Sequence, residues 1–130
     1  MKLIVLTVLT VAVVAACGGP AQSTPAATTT PAQTAAAALA VKLMDFKIEP
    51  STLTVGAGAF TVSVSSDGPT PHNFTIRDGS ENVVVASNDL SAGESDSVDV
   101  DALPAGDYTF FCSFAGHESL GMHGTLTVTQ

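Results

Sequence analysis

From Val41 onward the chain alternates between apolar and polar positions. In "AFTVSVS" Phe60, Val62 and Val64 share one phase, and Thr61, Ser63 and Ser65 share the other. A period of two is the mark of a strand with one buried face. No 3.6-residue stripe persists anywhere after Val41, so helices are not expected to build the core. The same reading predicts strands at 42–48, 52–55, 59–66, 72–77, 82–87, 95–100, 106–112 and 122–129. The segments "EPS", "GAG", "SDGPTP", "RDGS", "SAGE" and "LPAGD" supply turn chemistry between them. Seven or eight short strands at this spacing predict an all-β, antiparallel β-sandwich.

Strand phase also says where individual side chains point. In "HNFTIR" His72 shares the apolar phase of Phe74 and Ile76, which leaves Asn73, Thr75 and Arg77 facing out. In "YTFFCS" Cys112 follows Tyr108 and Phe110, although Phe111 blurs the pattern. In "MHGTLTVT" Met122 goes inward with Leu126 and Val128, and His123 outward with the threonines. Three donors therefore enter the sandwich from three strands, and His117 lies in the loop between two of them.

The residues ahead of Val41 follow another logic. Met1-Lys2 and the uncharged apolar run Leu3–Ala16 read as a signal peptide, residues 1–16, too short for a membrane span of roughly 20 residues. "VAAC" closes the run and resembles a bacterial lipobox, which makes Cys17 the expected lipid attachment. Residues 17–40 follow as an Ala/Thr/Pro linker without a charge, a composition that cannot offset its ordering entropy. "AAAALA" within it has no apolar stripe and is expected to form a turn or two of helix at most. Extended at about 3.1 Å per residue, such a linker would reach roughly 70 Å. Residues 41–130 are left for one folded domain.

Charge and cysteine count narrow the function. All 12 acidic residues lie after Val41, against Lys42, Lys47 and Arg77, so the domain carries nine more negative than positive groups. Nucleic acid is excluded as a partner on electrostatic grounds. With Cys17 acylated, Cys112 has no disulfide partner, and a free thiol in an oxidising compartment needs deep burial or a bound metal.

Thiolate, two imidazoles and a thioether form a soft, mixed donor set. His₂Cys with a weak axial Met suits a copper ion that cycles between Cu(II) and Cu(I). Zinc would accept Cys and two His but prefers four strong N, S or O ligands. A cysteine nucleophile would need an orienting third group and a substrate cleft. Three histidines in the whole chain are too few for a multicopper oxidase.

"PHNF" followed by "YTFFCSFAGHESLGMHGTLTV" resembles the cupredoxins, small blue copper proteins such as plastocyanin, azurin and the auracyanins. The likeness extends upstream through "DFKIEPSTLTVGAGAFTVSVSSDGPTPHNFTI". It implies a Greek-key sandwich with His72, Cys112 and His117 as equatorial ligands of one type 1 copper, and Met122 as the axial one. It implies further that Asn73 and Ser113 tie the ligand loops together behind the metal. Two positions depart from the pattern. Ala115 stands where many relatives carry proline, and His123 directly follows the axial methionine.

The resulting expectation is a monomeric, membrane-tethered one-electron carrier, outside the cytoplasmic membrane, between redox protein partners. No substrate is transformed. By the resemblance, electrons pass at the edge of His117 through a collar of Phe114, Ala115 and Leu120. A copper storage or delivery lipoprotein is the alternative, and a metal-free structural sandwich a third.

Overall fold

The computed structural model describes residues 37–130, so the expected signal peptide, Cys17 and most of the linker lie outside the described residues. Nine strands follow one another: β1 (Ala37–Met44), β2 (Lys47–Glu49), β3 (Thr52–Val55), β4 (Phe60–Ser66), β5 (Thr75–Arg77), β6 (Val83–Ala86), β7 (Ser95–Val100), β8 (Gly106–Phe111) and β9 (His123–Val128). One 3₁₀ turn, Glu118–Leu120, precedes β9. Among the described residues no helix is long and apolar enough to cross a membrane.

The strands form two sheets, ordered β2-β1-β4-β7 and β3-β9-β8-β5-β6. The expected sandwich is present, with two corrections of direction: β1 runs parallel to β4, and β3 parallel to β9. After β2 the chain crosses to the other sheet for β3 and returns for β4, which then lies along β1 in the same sense. Alternation records which face is buried and carries no information on strand direction.

Three boundaries differ from expectation by more than one residue, and one-residue differences leave Cys112 and Met122 just outside β8 and β9. The segment 42–48 is a hairpin rather than one strand: β1 ends at Met44, and β2 folds back so that Lys42 pairs with Glu49 and Met44 with Lys47. Asp45 and Phe46 make the turn, with Phe46 at a φ of 60°. The second correction concerns "AAAALA". Its last four residues are strand, because Phe60 to Ser63 of β4 offer them a pairing edge. Third, His72 lies outside β5 and is held by an isolated bridge to Leu90, with N···O distances of 2.9 and 2.7 Å.

The inward phases meet in one core. β1, β4 and β7 contribute Val41, Leu43, Phe60, Val62, Val64, Val98 and Val100, and the facing sheet contributes Ile76, Phe110, Leu126 and Val128. Each fully buried phenylalanine or leucine stabilises the fold by about 1.5–3 kcal/mol relative to exposure. Cys112, Met122 and His72 are each 0% exposed at one end of this core. Asn73 and Thr75, expected outside, are buried as well. Asn73 is covered because it bonds the next loop, while Thr75 sits mid-sheet, paired with Ala86 of β6 and Phe111 of β8.

Candidate metal centre

β8 delivers Cys112 to the end of the sandwich, where the sheet stops and the chain makes a short loop. His117 N donates to Phe114 O at 3.0 Å, and Leu120 N to His117 O at 3.2 Å, which closes the 3₁₀ turn. Gly121 ends it at a φ of 117°, a left-handed conformation that a side chain would strain. Two further backbone bonds, Met122 N to His117 O and Cys112 N to Met122 O, each 3.0 Å, fold the loop onto itself. Met122 is thereby brought back beside Cys112.

His72 reaches the same place from the loop before β5. Its Nδ1 lies 3.3 Å from His117 Nδ1, and Cys112 Sγ lies 3.5 Å from that same nitrogen. One donor atom from each of the three residues falls within 4.8 Å of the others. Such separations fit donors sharing one ion through bonds of about 2.0–2.3 Å. His123, in contrast, is exposed, and its Nδ1 lies 3.2 Å from the carbonyl oxygen of Glu118.

A polar layer stands behind the donors. Asn73 Nδ2 donates to Ser113 Oγ at 2.8 Å, and Ser113 N donates to Asn73 Oδ1 at 2.8 Å, so the two donor loops are joined through a buried amide. Asn73 Nδ2 also reaches Asp89 at 3.1 Å. Burial pushes the His72 imidazole below the usual histidine range, and its bond to Asp45 acts in the opposite sense.

Sequence reasoning missed four contributors. Asp45 and Thr70 contact His72, Arg77 grips Glu118 beside His117, and Phe46 meets His117 edge-on with ring centroids 5.6 Å apart. Phe46 could not be found while 42–48 was read as one strand. Only the turn swings its ring over the histidine, where Phe114 flanks the same imidazole at 5.7 Å.

A two-sheet sandwich with a thiol, two imidazoles and a buried methionine gathered at one end defines a small β-sandwich metalloprotein. The model of the cupredoxin-like domain matches residues 7–128, nearly the full length, and the chain belongs to that family. It is 53% identical over 61 residues to azurin of Bordetella pertussis, covering 45% of this chain and 40% of that one. Azurin of Pseudomonas fluorescens biotype A is 50% identical over 56 residues, 41% of this chain and 43% of the relative. The chain thus spans less than half the length of these curated relatives. The dithionite-reduced auracyanin of Roseiflexus castenholzii superposes with a TM-score of 0.69 at 21% identity, over 73% of this chain and 98% of that one, which shows the same fold. Family and donor set together define a site for a single type 1 copper ion.

Proposed function

We propose that the protein is a one-electron carrier in which His72, Cys112 and His117 hold the copper equatorially and Met122 is its weak axial ligand. The observation that carries this reading is the meeting of one thiol and two imidazole nitrogens within 4.8 Å, from separate parts of the chain. The copper supplies a Cu(II)/Cu(I) couple. The protein supplies rigidity. His72 is pinned by its bridge to Leu90, Cys112 by its backbone bond to Met122, and His117 by the 3₁₀ turn. Donors held this way have little freedom to rearrange when the charge on the ion changes, and a small rearrangement favours fast transfer.

His72, Cys112 and Met122 are sealed from water, whereas His117 is part-exposed. The edge of His117 is therefore the short route from the ion to a partner. Phe46, 44% exposed, and Phe114 flank the His117 ring, and Ala115 and Leu120, the latter 60% exposed, lie within three residues of it in the same loop. This apolar collar suits transient docking of a redox protein, because it excludes water without demanding a fixed polar register. The donor and acceptor are redox proteins outside the cytoplasmic membrane, and a lipid on Cys17 would tether the carrier there. The "VAAC" motif supports that anchor.

Copper-loaded protein should show an intense visible thiolate-to-copper band and a reversible one-electron wave, and Cys112→Ser should abolish the band. A colourless copper complex, or tight zinc binding without a redox wave, would refute the carrier and favour storage or delivery. Mass spectrometry of the membrane-extracted protein tests the tether through the acyl mass on Cys17.

A further inference from the structure

The turn between β1 and β2 brings a carboxylate to the back of His72. Asp45 Oδ1 lies 3.1 Å from Nε2 of this fully buried imidazole. The Thr70 hydroxyl donates to the same Oδ1 at 2.7 Å, and its oxygen stands 3.3 Å from Nε2. An ionised carboxylate only accepts hydrogen bonds, so Nε2 must be the donor. The ring hydrogen then resides on Nε2, and Nδ1, the atom facing His117, keeps its lone pair.

The space against this pair is closely filled by backbone. A Cβ at Gly68 would stand 2.7 Å from Asp45 Oδ1, 2.8 Å from His72 Nε2 and 2.9 Å from Asp45 N. Any side chain there would force the Asp45 carboxylate, the His72 ring or the turn backbone to shift. The arrangement is also one-sided. Among the described residues no carboxylate bonds the His117 ring, which contacts His72, Cys112, Phe46 and Phe114.

We propose that Asp45 is a positioning residue for the copper centre: anchored by Thr70 and admitted by Gly68, its carboxylate fixes the His72 tautomer and biases the ion toward Cu(II). The proposal rests on the reading of His72 as a ligand. A carboxylate behind a ligating histidine orients the ring and makes its free nitrogen more basic. A more basic nitrogen stabilises the higher charge of Cu(II) more than that of Cu(I), which lowers the reduction potential. The Asp45 side chain is 33% exposed, so solvent moderates the effect without removing it.

Two substitutions separate orientation from charge. Asp45→Asn keeps an oxygen acceptor for Nε2–H but removes the negative charge, whereas Asp45→Ala removes both. Voltammetry of the copper protein and nitrogen-15 NMR of the His72 ring in metal-free protein read the two effects. For Asp45→Asn the Nε2–H tautomer should persist while Cu(II) affinity falls about tenfold relative to Cu(I), equivalent to a rise of about 59 mV for one electron. For Asp45→Ala the potential should rise and the tautomer should become mixed. Gly68→Ala should reproduce the Asp45→Ala result with the carboxylate still in the chain. Unchanged potential and unchanged tautomer in both Asp45 variants, with the visible band intact, would overturn the proposal alone. An unchanged band and potential in His72→Gly would instead overturn the ligand assignment beneath it.

Discussion

Truncating Asn73 to alanine removes the acceptor of Ser113 N and of the Ser113 hydroxyl, and Ser113 itself is exposed to water that can replace them. A hydrogen bond that water can replace contributes about 0.5–1.5 kcal/mol net, so Asn73→Ala should destabilise metal-free protein by an amount of that order in urea denaturation. Ser113→Ala should cost less, because the backbone bond to Asn73 survives. Met122→Leu behaves differently. The two side chains have similar volume, and a swap of this kind in a core costs under about 1.5 kcal/mol. Copper should still bind, with its visible band kept and its potential raised, as voltammetry will show. Loss of the whole site would mean that another residue is the fourth ligand. At this scale His72, Cys112 and Met122 were legible because each shares the phase of apolar neighbours. Asp45 was not, since its role arises from a contact 27 residues away that no local pattern records.

The 3₁₀ turn carrying His117 is short and contains no buried residue, so it needs an external hold. Arg77 of β5 provides one: its guanidinium bonds both Glu118 oxygens, at 3.0 and 2.5 Å, and lies 4.4 Å from the centre of the Phe111 ring. Hydrogen bonds to charged groups are worth about 1.5–3 kcal/mol. Arg77→Met should therefore lower stability by an amount of that order and speed amide exchange selectively across 117–121. Uniformly faster exchange over the whole domain would argue against a local clamp. The β5–β6 turn has its own lock, in which Asp78 accepts from the Asn82 side chain at 3.0 Å and from Ser80 N at 2.8 Å. The Asn82 amide, followed by backbone N–H groups, holds the Asp78 carboxyl below its ordinary value of 3.8. The unfolded chain then binds this proton more readily than the folded one. Its stabilisation is complete above pH 3.8 and fades as pH falls through the lower folded value. The stability gap between wild type and Asp78→Ala should thus be full at pH 7 and narrow below pH 3.8, measured by denaturant titration. Element by element, strands with β-branched alternation such as β3, β4 and β7 were readable from sequence. The alanine start of β1 was not, because alanine has little strand preference and pairs only where β4 presents an edge.

For the whole molecule, the core is modest and, among the described residues, Cys112 is a free cysteine, so no disulfide supports it. Copper is expected to supply the missing staple. At free copper 1,000 times Kd, binding to the folded state alone adds about 4.1 kcal/mol. At about 4–8 °C per kcal/mol for a domain of 60–100 residues, Tm should rise on the order of 20 °C. Calorimetry with and without copper measures it, and Cys112→Ser should erase most of the increment. The sandwich class was visible in the sequence because turns recur between short alternating runs. The parallel pairing was hidden, as it depends on which sheet the chain enters after each turn.

That parallel ladder has a mechanical consequence. β1 begins at Ala37 and reaches the Asp45 turn, which contacts His72, only after Met44, seven steps of about 3.3 Å later, so its first residue lies about 23 Å along the strand from that turn. Tension on the residues ahead of Ala37 would be met as shear along the β1–β4 pairs from Ala37–Phe60 to Leu43–Ser66. The load would pass first into the end of β1 that lies away from the Asp45 turn and its contact with His72.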